Sequence, residues 1–329
     1  MSAFLTRLRH LVRPPRRRSR LFTLLTARIL VHERLRFSET QILLFWAAVV
    51  GGVGGGASIV LRESMGLVHR RLTGQQGGLV ESFAHLPPLE RLLLPMAGGL
   101  AAGAVITAGR RFASSPHTTD YMEAVALRRG ILSVRQSVVK IASAVASVSS
   151  GGSIGREGPI VQLSALAASL LGQAGRWSAP RRRVLVACGA AAGIAAAYDA
   201  PIAGALFVSE IMLHSIAMET LGPMVVASVM ATQVVHQARG SGPLYAIPAF
   251  SLAHGWELPL YLLLGVASGL AAPLFLRVLR GSEHAFRALK APPFLSMGLG
   301  GLLVGALAMR WPEVCGNGYS VVGTILNDH

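Results

Sequence analysis

The chain has little acid, few charges of either sign and almost no cysteine. Asp and Glu number 15 against 31 Lys and Arg, and charged residues make up 14% of 329 positions. A soluble domain carries roughly 25%, so an ordinary water-soluble domain is excluded. The two cysteines, Cys188 and Cys315, have no metal-ligand spacing and read as small buried thiols. No metal and no cofactor are expected. Alternation with period two is missing, which excludes an outer-membrane barrel. The first 30 residues lack an apolar core followed by a small-residue cleavage site, so no signal peptide is expected. What remains is 52% hydrophobic with 37 glycines. Glycine is frequent where helices pack closely in lipid. The composition predicts an all-α integral membrane protein.

The net charge of +16 is unevenly placed. Arg7, Arg9, Arg13, Arg16, Arg17, Arg18, Arg20, Arg28, Arg34 and Arg36 crowd the start. Arginine-rich flanks of a first span stay cytoplasmic. Residues 1–37 are therefore expected to be a basic cytoplasmic segment of an inner-membrane protein. It either only sets topology or also touches lipid headgroups. No nucleic-acid partner is expected. Residues 21–31 have the character of a helix lying on the membrane.

Ser38, Glu39, Thr40 and Gln41 fit a capping box, and a first span follows over residues 42–61. Further apolar segments cover residues 92–108, 134–148, 160–171, 184–197, 202–213, 221–235, 258–279 and 294–309. Several fall short of the roughly 20 residues a perpendicular span needs. Short segments broken by glycine or proline are the mark of broken or re-entrant helices in transporters. The order Pro95, Met96, Gly98, Gly99, Gly103 returns as Ser296, Met297, Gly300, Gly301, Gly305. Gly54, Ala57, Leu61, Arg62 and His69 return as Gly269, Ala272, Leu276, Arg277 and His284. These matches predict two related halves, residues 38–240 and 241–329. The second half has no counterpart of residues 156–235, so the chain is expected to be incomplete in its second repeat.

Residues 151–159 read Gly151, Gly152, Ser153, Ile154, Gly155, Arg156, Glu157, Gly158, Pro159 between two apolar stretches. Backbone at membrane depth is irregular only where it lines a cavity or is buried in protein. A helix beginning after this break aims its free N–H groups and positive dipole end at the gap. The break is thus shaped for an anion, with Glu157 as a rival anion. Dipole compensation alone also accounts for a glutamate there, and Arg156 for its neutralisation. An ionisable residue at membrane depth is functional by default. Gly151 to Gly155 also satisfies G-x-S-x-G, which places an intramembrane serine hydrolase using Ser153 as an alternative, with His214 or His236 as partner. That motif requires a strand before the serine, and none is visible. A second break at Tyr198, Asp199, Ala200 and Pro201 reads as a helix–helix turn with Asp199 capping the next helix. Glu210 is a lone carboxylate in the apolar run beyond it. Residues 114–120 offer hydroxyls, Thr118 and Thr119 among them, before a short helix over residues 121–127. Lys140 lies in an apolar run and is expected to face the interior.

Gly155, Arg156, Glu157, Gly158 and Pro159, followed by Val161 and Gln162, resemble the G-[KR]-E-G-P motif of the CLC chloride channels and proton-coupled chloride transporters. Ala190 to Gly193, Asp199 to Phe207 and Glu210 resemble the segment that follows it. Lys140 stands at the family's matching distance, and Gly316, Asn317 and Gly318 resemble a glycine turn of its second half. The likeness runs over residues 38–325. It implies a CLC-like inverted-repeat bundle, a homodimer in which each subunit carries its own chloride path, and no enzyme activity. It implies Glu157 as the gate, and an anion site near Gly155, Arg156, Gly158, Pro159, Ile160 and Val161, with the amides of Gly158, Ile160 and Val161 facing the ion. Three departures qualify the likeness. The family's G-S-G-I-P loop is replaced by residues 114–119, so Thr118 and Thr119 stand as candidate hydroxyl donors. Ile211 occupies the inner position where exchangers carry a second glutamate, which leans toward a channel over a proton-coupled antiporter. The later G-x-F-x-P segment and pore tyrosine have no counterpart up to His329.

Overall fold

The computed structural model describes residues 39–112, 120–126, 129–213, 217–241, 245 and 254–327. The chain divides into two units, residues 1–43 and 44–329. Of the first, only the opening of one helix is described. Ser38 and the basic arm lie outside the described residues, as do Thr118, Thr119 and His214.

All regular structure among the described residues is helical. The order is α1 (Glu39–Thr73), α2 (Leu79–His85), α3 (Pro88–Phe112), α4 (Tyr121–Ala126), α5 (Val134–Ser149), α6 (Glu157–Ala174), α7 (Ala179–Tyr198), α8 (Pro201–Val208), α9 (Met218–Arg239), α10 (Glu257–Ala288), α11 (Pro293–Arg310) and α12 (Tyr319–Asn327). Five of them, α1, α3, α9, α10 and α11, are long and apolar enough to cross a membrane. The predicted apolar segments 42–61, 92–108, 221–235, 258–279 and 294–309 sit inside these helices, which extend beyond them at both ends. The extensions are polar: α1 ends with Arg70 and Arg71 in its last turn, where cations suit the helix dipole.

Small residues four apart make the helix seams. Gly51 and Gly55 of α1 lie against the carbonyls of Ala227 and Ala231 on α9. Gly189 and Gly193 of α7 lie against Ala165 and Val161 on α6. In lipid, helices associate through close van der Waals contact, and a side chain at such a glycine holds the backbones apart. The core between these helices is accordingly built of alanine: Ala165, Ala168, Ala187, Ala190, Ala191, Ala192 and Ala227 are all buried.

The most extensive seam joins α3 to α11, and it carries the internal repeat. A Cβ on Gly99 would overlap the Met297 carbonyl, and one on Gly301 would overlap the Pro95 carbonyl. Gly103 meets the backbone of Phe294, and Gly305 that of Leu92. Positions rise on one helix as they fall on the other, so the helices run antiparallel. Each contact also maps onto another when both partners are shifted by the repeat offset. At the offset that carries Gly99 to Gly301 and Gly103 to Gly305, Pro95 falls on Met297 and Leu92 on Phe294, one residue along from the Pro95–Ser296 match read in the sequence. The two matched segments therefore pack on each other about a local pseudo-two-fold axis, as inverted repeats do.

The repeat also pairs α1 with α10, but their surroundings differ. α1 buries a face that includes Val50, Gly54, Ser58, Leu61 and Met65. No residue of α10 is buried, and Leu262, Leu270 and Phe275 are exposed on it.

Cys315 follows a short 3₁₀ turn (Pro312–Val314) and packs with Phe83, Leu86 and Ala308. Burial pushes its thiol up to about 12, with the Arg91 charge working the other way. The reactive thiolate is therefore scarce at neutral pH. In a Cys188→Ser background the folded protein should resist a maleimide at neutral pH and label fully in detergent that unfolds it.

Candidate functional site

The break between α5 and α6 is held from three sides. Gly151 has φ of 94°, and a side chain there would run into the Phe83 ring of α2. Phe83 in turn stacks on His69 of α1, with ring centroids 6.4 Å apart. His69 Nδ1 donates to the Ser149 carbonyl at 3.0 Å, and Ser149 Oγ donates to the Met65 carbonyl at 3.1 Å. Backbone bonds from Gly151 to Val148 and from Gly152 to Ser147 close the end of α5. The N–H of Gly316 reaches across to the Gly152 carbonyl at 3.2 Å. That bond ties the break to the glycine turn of the second half.

α6 starts at Glu157 with Arg156 as its N-cap, and Arg156 supplies no side-chain cap. The first-turn amides of a helix have no intrahelical acceptor. Pro159 has no N–H to leave unpaired, which suits the first turn. The Ile160 N–H is partly engaged, reaching the Arg156 carbonyl at 3.4 Å. This leaves Glu157 and Gly158 as the first-turn donors without an intrahelical acceptor. Of the three amides expected to face an anion, that of Gly158 is the one without an intrahelical acceptor. The Ile160 and Val161 side chains are buried.

Glu157 and Tyr198 both line two cavities. One is a cavity of 380 Å³ that also touches Tyr121, Gly158, Val161, Ile194 and Phe207. The other is a more open depression of 590 Å³ along Ser153, Gly155, Glu313, Asn317 and Tyr319. The carboxylate of Glu157 folds back toward Gly155, where a Cβ would strike Oε2. Its Oε1 accepts from Asn317 Nδ2 at 3.0 Å and from the Tyr319 hydroxyl at 2.8 Å. The Arg156 guanidinium lies over the Tyr319 ring, 5.6 Å from its centroid. The Tyr245 ring meets Tyr319 edge-on at 5.8 Å. The sequence marks Asn317 only as part of a glycine turn and does not mark Tyr319. They lie 160 and 162 positions from Glu157.

At the end of α7, Arg62 of α1 donates to the carbonyls of Ala196 and Ala197 at 2.8 and 2.9 Å. A cation there satisfies orphan carbonyls and the negative dipole end together. Asp199 does not cap α8 as expected. It is the left-handed C-cap of α7, with φ of 56°, and Ala200 precedes α8. The Asp199 carboxylate instead accepts from His236 Nε2 of α9 at 2.6 Å. It makes a tie between helices in place of a cap.

Lys140 is exposed, against the expectation of a buried ammonium. α5 turns Ser137, Ser143 and Val148 inward, and Lys140 stands on a face that no described element covers. Glu210 and Ile211 are exposed as well, in a π-helical turn (Ser209–Leu213) that ends α8. The serine-hydrolase alternative finds no support in the described residues. Ser153 follows a helix and not a strand, it is exposed, and His236 is bonded to Asp199.

These features define an all-helical integral membrane protein with inverted repeats. The sequence pattern of the voltage-gated chloride channel family matches residues 98–329. The chain belongs to this family, the CLC proteins. It is 48% identical over 289 residues to a putative ClcB-like chloride channel protein of Ralstonia nicotianae, covering 87% of this chain and 67% of that one. It is 38% identical to the voltage-gated ClC-type chloride channel ClcB of Escherichia coli, covering 86% of this chain and 68% of that one. Two solved structures share the fold. A slow cyanobacterial Cl⁻/H⁺ antiporter superposes with a TM-score of 0.70 at 23% identity, over 87% of this chain and 68% of that one. A CLC-type fluoride/proton antiporter superposes at 0.71 and 20% identity, over 89% of this chain and 72% of that one.

Proposed function

We propose that the protein carries chloride passively across a cell's inner membrane along a path gated by Glu157, with its N-terminus in the cytoplasm. The observation that carries this reading is the position of the Glu157 side chain. It borders both cavities at the N-terminus of α6, where a free carboxylate and a free anion compete for the same amides. Residues 38–240 and 241–329 are assigned as the two repeats, and the assembly as a homodimer. Comparing chloride efflux from vesicles for the native protein and Glu157→Gln across acidic and neutral pH tests the gate. Efflux that keeps its native pH dependence in the variant rejects it.

Channel-like transport is favoured over proton coupling by Ile211. An apolar side chain holds no proton, and its neighbour Glu210 faces outward from a π turn. A chloride gradient across vesicles should therefore drive no proton uptake, read with a pH-sensitive dye. Proton movement in fixed ratio to chloride would establish the antiporter reading instead.

A further inference from the structure

Two groups of the second repeat converge on a single oxygen of Glu157. Asn317 Nδ2 and the Tyr319 hydroxyl both donate to Oε1, at 3.0 and 2.8 Å. Neither donor is adventitiously placed. The Gly316 N–H bond to the Gly152 carbonyl fixes the turn against the break. Gly316 and Gly318 have φ of 84° and 80°, conformations that glycine adopts without strain. The Arg156 guanidinium and the Tyr245 ring hold the Tyr319 ring from two directions.

We infer that Asn317 and Tyr319 form a latch that holds the Glu157 carboxylate between the two cavities and so sets the chloride concentration at which the path opens. This rests on Glu157 being the gate. To pass, an anion must displace the carboxylate from this position. Bonds to an ionised carboxylate are stronger than those between neutral groups, and each must break when the side chain moves. Asn317 and Tyr319 touch the gate and not the ion, so they are positioning residues.

The latch makes a specific demand on variants. Tyr319→Phe keeps the ring that Arg156 and Tyr245 pack on and removes only the hydroxyl. Loss of one such bond should lower the chloride concentration for half-maximal efflux about tenfold, in line with the strength of hydrogen bonds to charged groups. Asn317→Ala should act in the same direction. Both effects should vanish in a Glu157→Ala background, where there is no carboxylate to hold. The test is chloride efflux from vesicles over a range of chloride concentrations, for native protein, each single variant and each pair with Glu157→Ala. Size-exclusion elution of each variant checks its folding. An unchanged half-maximal concentration in both single variants overturns the latch. So does the same shift with and without the Glu157 carboxylate, which marks a merely structural role. Failure of the gate itself appears separately, as Glu157→Ala leaving efflux and its pH dependence as in the native protein.

Discussion

Gly301→Val should unfold or disperse the protein in mild detergent, whereas Gly300→Ala should be neutral. The two glycines are neighbours on α11. A Cβ on Gly301 overlaps the Pro95 carbonyl of α3, while one on Gly300 meets nothing within 4 Å. The obstacle is backbone, which cannot rotate away as a side chain does. Either α3 and α11 separate or both bend. Overpacking of this kind costs on the order of 3 kcal/mol, a large share of a typical domain's stability. Gly300→Ala removes a flexible residue from a helix interior and gains a little helix propensity. Because the seam is pseudo-symmetric, Gly99→Val should match Gly301→Val in effect, since it strikes the Met297 carbonyl in the same way. Thermal unfolding followed by tryptophan fluorescence reads all three. Equal melting temperatures for Gly301→Val and Gly300→Ala would contradict the seam.

Glu157→Gln should all but abolish the pH dependence of chloride efflux. On the proposed mechanism the ionised carboxylate is an anion at an anion site, and only its protonated or displaced form lets chloride through. Native efflux should therefore vary between acidic and neutral pH, because a protonated carboxylate no longer competes with chloride. Glutamine keeps the size and the hydrogen-bond acceptor but carries no charge at any pH. Its efflux should stay at or above the native level at acid pH and vary less than about twofold over the same interval. The contrast isolates the charge of this one side chain. A variant that tracks the native profile would show that another group titrates.

Much of the membrane architecture was legible in the residues. Apolar runs and their glycine or proline breaks locate α3, α5, α6, α7, α9, α10 and α11, because lipid demands such runs. The repeat was legible because the seam glycines admit no substitute. Single side-chain fates were harder to read. Asp199 has the residue type and the following Pro201 of a helix cap, yet it bonds to His236 on α9, a partner that only the packing of α7 on α9 supplies. Lys140 sits in an apolar run and was expected inside, but the packing of α5 turns Ser137 and Ser143 inward and leaves the lysine out. The α6 start was recognisable from Gly155 to Pro159, since a helix N-terminus after a glycine break has a local signature. The groups that hold its carboxylate have none. Asn317 and Tyr319 reach Glu157 only because the second repeat folds back on the first.

On the proposed mechanism the amides at the start of α6 bind an anion in competition with the Glu157 carboxylate. Bromide is a chloride substitute that can be located by its anomalous scattering. Crystals of Glu157→Ala grown in bromide should show an anomalous peak within hydrogen-bond reach of the Gly158 N–H, roughly 3.3 Å allowing for the larger ion. The same peak should be weaker in native crystals at equal bromide. A Glu157→Ala structure with no bromide at the α6 N-terminus, or with equal occupancy in both proteins, would contradict that competition.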